Sequence, residues 1–293
     1  MPERNEIALR QCRFLDDGCL AELFQSFTEA FSDYIVPFAL TETQFRNHIK
    51  LTAVDLNRTV GCFENGQMIG FSLNGFGDWN GLPTVYDAGT GVLPAYRRQG
   101  ISRAMFEFML PEFERHGFKQ VVLEVITSNS GAIRLYEGLG FRISRDLLLL
   151  QCDARPAFEV EVDPELSIKA IDQPDWRAFK EFWNGEPSWQ NSPESIDRSL
   201  AMKTTLGAYV NGSCVGYMIF SSRFGRISQL AVAKEARRSG VATALIQAMH
   251  EKIEPGFSAQ VINIDASLID ATALFKKCGY FERLRQYEMV LEI

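Results

Sequence analysis

The sequence predicts an α+β protein in which one domain is built twice, each copy a mixed, mostly antiparallel twisted sheet flanked by helices. Three observations predict it. Leu206-Gly-Ala-Tyr-Val-Asn-Gly-Ser-Cys-Val-Gly-Tyr217 repeats Val60-Gly-Cys-Phe-Glu-Asn-Gly-Gln-Met-Ile-Gly-Phe71 almost position by position. Val232-x-x-x-x-Arg237-Arg238-Ser239-Gly240-Val241-Ala242 repeats the stretch from Val92, and Leu274-Phe-Lys-Lys-Cys-Gly-Tyr280 repeats Leu135-Tyr-Glu-Gly-Leu-Gly-Phe141. The displacement is nearly constant over these three separated segments, which marks an internal duplication. Residues 153–164, with two prolines and several charges, read as the linker between a domain at 1–152 and a second at 165–293.

Each element of the first copy has a local reason. Ile7 to Cys12 alternates as a strand, and Asp16 and Asp17 suit the N-terminus of a helix whose apolar positions are Leu20, Leu23, Phe24, Phe27 and Phe31. After a turn over Ser32 to Phe38, Thr41 with Gln44 three residues on reads as a capping box for a second helix through Ile49. Arg58 to Phe63 and Gln67 to Phe76 flank Asn65-Gly66, a hairpin signal because both residues tolerate positive φ. Asp78 to Leu82 reads as a polar loop into a strand, Thr84 to Val92, which ends at Pro94 for want of an N–H. Ile101, Met105, Phe106 and Met109 then recur at helical spacing as far as His116-Gly117. A strand at Gln120 to Ile126, a helix at Asn129 to Leu139 and a strand at Ile143 to Gln151 close the copy.

Composition excludes several classes of function. The 293 residues are 46% hydrophobic and 23% charged, the profile of a globular chain with a sizeable core. Net charge is −7 and no long basic run appears, so no nucleic-acid partner is expected. Met-Pro-Glu-Arg-Asn-Glu lacks the order of a signal peptide, and no stretch approaches the roughly 20 apolar residues of a membrane span. A cytoplasmic protein without a membrane partner is the expectation. Cys12, Cys19, Cys62, Cys152, Cys214 and Cys278 are scattered in or near apolar runs, and His48, His116 and His250 have no ligand spacing. Buried thiols and no metal are therefore expected.

The chemistry concentrates between Val92 and Phe106, which reads as strand, tight basic loop and helix start. A helix start leaves its first N–H groups unpaired behind the positive end of the peptide dipoles, a site for an anion. Gly100 lets the backbone approach a bulky anion and Arg97 and Arg98 add charge, so a pyrophosphate is the expected ligand. Neither G-x-x-x-x-G-K-[ST] nor G-x-G-x-x-G is present. What is present, Val92-x-Pro94 followed by Arg97-Arg98-Gln99-Gly100-Ile101-Ser102, resembles the acetyl-CoA loop of the GNAT superfamily of N-acetyltransferases, R/Q-x-x-G-x-G/A, with small Ser102 in the last place. Asn129, Ala132, Leu135, Tyr136, Gly140 and Phe141 match a second family motif, N-x-x-A-x-x-L-Y-x-x-x-G-F.

The resemblance covers nearly the whole chain, twice, and implies two tandem GNAT-like acyl-CoA N-acyltransferase domains. It implies direct transfer of an acetyl group from acetyl-CoA, a co-substrate, to a primary amine of a small molecule or peptide. It places the pantetheine against the backbone near Val92, in a gap between that strand and the next, and gives Tyr136 the role of general acid toward the departing thiol. Asn129 then caps its helix, hydrogen-bonds the pantetheine, or both. Asp87 and Glu124 are the candidate bases, and either also suits a solvated strand position. Phe31, Tyr34 and Phe38 border the acceptor pocket or belong to the core.

In the second copy Arg237, Arg238, Ser239, Gly240, Val241 and Ala242 match the loop pattern fully, while Phe275, Leu268, Ile227 and Asn263 stand at the positions of Tyr136, Asn129, Asp87 and Glu124. That copy keeps a CoA loop without the phenol. Trp176, Phe182, Trp183 and Trp189 pack or line a site. The resulting expectation is an enzyme with a catalytic first domain. A non-catalytic acyl-CoA sensor or scaffold, and an enzyme whose second domain is active, stay open, as does an oligomer.

Overall fold

The structure, a computed structural model, describes residues 10–36, 40–153 and 161–293. The expected strand residues 7–9, Phe38 and most of the 153–164 segment lie outside these. The chain forms two compact units, Met1–Ser144 with Glu288–Ile293, and Arg145–Tyr287.

The first unit contains β1 (Arg10–Phe14), α1 (Leu20–Ala30), α2 (Glu42–Leu51), β2 (Val60–Glu64), β3 (Gln67–Trp79), β4 (Leu82–Val92), α3 (Ile101–Arg115), β5 (Gln120–Ile126) and α4 (Ser130–Gly138). Its sheet runs β1-β2-β3-β4-β5, antiparallel except for the β4–β5 pair. Thr41 and Gln44 form the capping box at the start of α2. Asn65 (φ 51°) and Gly66 (φ 81°) make the tight hairpin between β2 and β3, since a two-residue turn matching the strand twist needs positive φ twice.

The expected loop at Asp78 to Leu82 is corrected. β3 runs through Trp79, β4 begins at Leu82, and Asn80 (φ 52°) with Gly81 (φ 76°) forms a second Asn-Gly hairpin. Trp79, 7% exposed, extends the strand despite its polar neighbours because its ring is buried.

Alternation assigns the two faces of this sheet. Leu23, Phe27 and Phe45 of α1 and α2 share a cluster with Phe71 and Leu73 of β3. α3 lies against the opposite face, where a Cβ at Gly70 would come 2.9 Å from the Ile101 side chain. A glycine there lets the helix start sit directly on the strand.

The second unit repeats the order with β6 (Arg142–Cys152) leading into β7 (Ser167–Ile171), α5 (Trp176–Lys180), α6 (Pro193–Arg198), β8 (Thr204–Val210), β9 (Ser213–Ser221), β10 (Arg226–Val232), α7 (Val241–His250), β11 (Ala259–Asp265), α8 (Ile269–Lys277) and β12 (Phe281–Glu292). Within this unit the order is β6-β11-β10-β9-β8-β7, with β6 antiparallel to β11 from Cys152↔Ala259 to Leu147↔Asp265. The chain end returns to the first unit, where β12 neighbours β5 and the Ile293 N–H donates to Lys119 O at 3.0 Å. Each unit is thus completed by a last strand whose sequence position belongs to the other copy. In the first unit Glu288, 1% exposed, accepts from the Ser144 hydroxyl at 2.8 Å, a polar latch on that strand.

None of the six cysteines forms a disulfide, and four of them are buried. No helix among the described residues is long and apolar enough to cross a membrane.

Candidate active site

Strand β4 carries the site because its ladder changes partway along. Against β3 the register steps from Leu73↔Gly89 to Asn74↔Asp87, leaving Ala88 as the extra residue of a bulge. Against β5 the parallel pairs run from Thr84↔Gln120 to Asp87↔Leu123 and stop. Beyond Asp87 the two strands part. The Leu93 N–H donates to Ile69 O at 3.0 Å, so by alternation the Val92 backbone groups point away from β3, toward the opened side.

At the end of β4 the chain turns through Pro94–Tyr96 and enters α3 over Arg98 (φ 62°) and Gly100 (φ 78°). The first intrahelical bond is Ala104 N–H to Gly100 O at 2.9 Å. The four N–H groups before it have no helical acceptor. A Cβ built on Gly100 meets no protein atom within 4 Å, so this glycine faces an open cradle at the helix mouth. Only backbone conformation and whatever occupies that cradle require glycine here, and the geometry fits a pyrophosphate held by backbone amides.

Arg97 does not point into the cradle. Its guanidinium pairs with Asp33 (2.6 and 2.7 Å) and donates to Ala30 O at 2.8 Å and Val92 O at 3.2 Å, stapling the loop to the end of α1. The second unit repeats the device with Arg237, which donates to Val232 O, Phe182 O and Asn184 Oδ1 at 2.9–3.0 Å. The arginine of the motif therefore braces the loop against the end of α1. Arg97→Ala is expected to lower stability by about 2 kcal/mol and to weaken acetyl-CoA binding. Arg97→Lys is not expected to rescue it, because one ammonium cannot bridge three acceptors on a fixed fork. Thermal melting and calorimetric titration measure the two effects.

The carboxylate and the phenol singled out by sequence meet where β4 and β5 part. The Tyr136 hydroxyl donates to Asp87 Oδ2 at 3.4 Å. Asp87 also accepts from the Gly89 N–H at 3.0 Å and the Thr90 hydroxyl at 2.9 Å. Burial pushes the Asp87 carboxyl up to about 6, against these three hydrogen bonds that lower it. Tyr136, 8% exposed, is raised well above its ordinary value by burial and then by the facing Asp87 charge, so it holds its proton.

Because Asp87 binds its proton more tightly folded than unfolded, its contribution to stability is present below about pH 3.8 and lost as the pH rises through about 6. Ionising it costs about 3 kcal/mol. Asp87→Asn is therefore expected to gain stability relative to the native protein as pH rises from 4 to 6, read from denaturant midpoints.

Glu124 is not part of that pair. Leu123 is the residue opposite Asp87, so Glu124 faces the other side of the sheet, where Glu124 Oε2 accepts from the Tyr86 hydroxyl at 3.1 Å. Asn129 caps α4 through Ala132 N–H at 3.2 Å and hydrogen-bonds the Tyr34 hydroxyl. Tyr34 packs edge-on to Phe31 at 5.1 Å, so these aromatics both pack and border the site.

His48 and Thr90 escape sequence reasoning. His48 Nε2 donates to the bulge carbonyl of Ala88 at 2.9 Å, and nothing in the spacing of a lone histidine on a helix indicates that. For Thr90 a signal exists, since glycines at 89 and 91 inside a strand pattern suggest a bulge that re-aims its neighbours.

In the second unit β10 and β11 pair only at Arg226↔Gln260 and Ile227↔Val261 and then part, and the extra residue of the bulge is Ser228. Gly240 (φ 83°) opens α7 as Gly100 opens α3. The interior differs. Phe275 is 3% exposed at the Tyr136 position, and Leu268 makes no side-chain cap. Trp183 donates to the Tyr217 hydroxyl, Tyr217 to Gln229 Oε1 and Gln229 to Asn191 O, each at 2.6 Å. Asn191 Nδ2 donates to Ile262 O at 2.9 Å, tying β10 to β11. Trp176 and Phe182 thus pack within their own unit, against the cluster in which Tyr217 stacks on Phe179 at 3.7 Å, and Trp189 is buried at 3% exposure.

A sheet that opens beside a bare helix start, once in each unit, is the arrangement of the acyltransferase class whose loop pattern the sequence resembles. The chain belongs to the GNAT acetyltransferase family. Residues 20–141 match the acetyltransferase (GNAT) family and residues 177–289 match an acetyltransferase (GNAT) domain.

The chain is 39% identical over 82 residues to the [ribosomal protein bS18]-alanine N-acetyltransferase of Escherichia coli K12, 27% of this chain and 50% of that protein. It is 33% identical over 103 residues to an N-alpha-acetyltransferase of Sulfurisphaera tokodaii, 32% of this chain and 62% of that one. The match thus spans about half to three fifths of the length of these relatives. Among solved structures, a tandem GNAT protein from the clavulanic acid biosynthesis pathway superposes with a TM-score of 0.74 at 17% identity, covering 96% of this chain and 98% of that one. A putative acetyltransferase from Pyrococcus horikoshii gives 0.70 at 16%, covering 100% and 93%. These similarities support an acyltransferase enzyme with a tandem GNAT fold.

Proposed function

We propose that the first unit is the catalytic one and that it acetylates a primary amine, a small molecule or the α-amino group of a peptide, with acetyl-CoA as donor. The observation that carries this reading is the Tyr136–Asp87 pair at the point where β4 and β5 part. The bound donor supplies an activated acetyl thioester, and the chain must hold it, accept a proton from the amine and give one to the sulfur. The amides of Gly100 to Arg103 and the Arg98 side chain hold the pyrophosphate, and the Val92 backbone orients the pantetheine. Tyr136 Oη gives its proton to the departing sulfur and regains one from water, and the Asp87 carboxylate, which accepts from the same hydroxyl, orients it. Glu124, on the face shared with α1 and α2, takes the proton of the amine, which at an ordinary pKa near 10 is mostly charged at neutral pH.

The second unit is a cofactor-binding unit without this chemistry, a reading supported by Phe275 and Ile227 at the phenol and carboxylate positions. The relatives support the acceptor class, since their names specify acetylation of an alanine of a ribosomal protein and of an N-alpha group. Thiol release from acetyl-CoA in the presence of a panel of α-amino peptides, amino acids and polyamines tests the whole reading. Binding of acetyl-CoA without amine-dependent thiol release would overturn it in favour of a sensor. The pH profile tests the pair: kcat/KM is expected to rise with a midpoint near 6, the value of Asp87, and Asp87→Asn to abolish that limb.

A further inference from the structure

The second unit carries an amine of its own beside the gap between β10 and β11. Lys203 is extended just before β8, and Thr205 pairs with Ile219, so Lys203 lies on the sheet face of Ile219 and Tyr217, the face covered by α5. Its Nζ donates to Ser228 Oγ at 2.8 Å. Ser228 is the bulge residue, one position beyond the last pair that joins β10 to β11. Lys203 thus reaches the bulge of β10 as His48 reaches the bulge of β4 in the first unit.

We infer that Lys203 is a site of self-acetylation, its Nζ taking the acetyl group of an acetyl-CoA held by the Arg237–Ala242 loop; this rests on the reading that the second unit binds that donor. The nucleophile in such a transfer is the neutral amine. Burial, with the charge of Arg226 facing it, brings Lys203 down to about 7 from 10.5. A large fraction is therefore neutral at physiological pH, against roughly one part in a thousand for an ordinary lysine.

The Nζ–acetyl carbon bond forms as the thioester C–S bond breaks, the sulfur keeps the bonding pair, and the proton lost by Nζ leaves to solvent while water protonates the thiolate. One turnover needs no dedicated acid, so Phe275 in place of a tyrosine is no obstacle. The Gln229–Asn191–Ile262 bridge ties the two strands together, so an amine already inside the unit has the advantage over one arriving from outside. The product is a neutral amide, which no longer charges a buried position, so the modified form persists.

The test uses full-length Gly100→Glu protein, so that only the second loop can load, incubated with acetyl-CoA and mapped by peptide mass. One acetyl group per chain, on Lys203, is expected, and Lys203→Arg and Gly240→Glu should each remove it. Acetyl groups on Ser228, or spread over surface lysines and indifferent to Gly240→Glu, would overturn the inference. Because Lys203→Arg can disturb the fold, the pH dependence of Lys203 labelling by acetic anhydride is measured on the native chain. A midpoint near 7 is expected, and an ordinary lysine profile overturns it. Calorimetry on the same Gly100→Glu protein separates the two readings. No acetyl-CoA bound overturns donor binding and self-acetylation together, whereas binding without modification overturns self-acetylation alone.

Discussion

Tyr136→Phe is expected to lower kcat by about 10²–10⁴-fold while acetyl-CoA still binds. The variant keeps the ring, which packs edge-on to Phe106 at 5.8 Å and against Phe141 at 5.5 Å, so the site stays filled. It removes the one hydroxyl that donates to Asp87 Oδ2 from α4 and leaves that carboxylate with Gly89 N–H and Thr90 as donors. The loss should fall on kcat and kcat/KM together, the pattern of an interaction made only in the transition state. Stopped assays of thiol release and calorimetry on the same preparation measure it. An unchanged kcat would remove the acid role from Tyr136 and turn attention to the second unit.

Gly100→Glu should abolish acetyl-CoA binding to the first unit, with activity falling to background. Two independent effects act in one direction. Gly100 sits at φ 78°, where a side chain is strained, and its Cβ would project into the cradle in front of the free helix N–H groups. The added carboxylate then competes for those amides and repels a pyrophosphate, an interaction between full charges at a helix start. No protein atom lies within 4 Å of the new Cβ, so the fold should tolerate the change. A melting curve close to that of the native chain, together with lost binding, is the expected result. In calorimetric titration the native chain should then bind with a stoichiometry one higher than the variant, and Gly240→Glu reads the second loop in the same way.

Much of this site is legible in one sequence because its parts are local. The two glycine-bearing loops proposed to hold the pyrophosphate lie in contiguous stretches, Arg97 to Ser102 and Arg237 to Ala242, and a helix start presents its amides whatever surrounds it. Tyr136 sits in a motif of thirteen residues from Asn129 to Phe141 that carries its own cap. The duplication is legible because insertions between the copies are short, so the displacement stays nearly constant. Other features depend on residues far apart in the chain. That Arg97 is used up on Asp33 and the Ala30 carbonyl requires the end of α1 to lie beside the loop, 64 residues away along the chain in the case of Asp33. That Asp87 and Glu124 serve opposite faces follows from the register Asp87↔Leu123, and a slip of one residue would reverse it.

The sequence by itself determined the fold class, the duplication, the glycine that opens each of the two helices, the phenol and its absence from the second copy, because each is written in residue type and short spacing. Only the tertiary structure decided which carboxylate meets the phenol, that His48 and Lys203 reach the two bulges, and that each unit is completed by the other copy's last strand. Those outcomes depend on strand register and on which open sheet edge a strand finds. Backbone hydrogen bonding is nearly indifferent to side-chain identity, so pairing partners and register emerge only when the whole core is assembled.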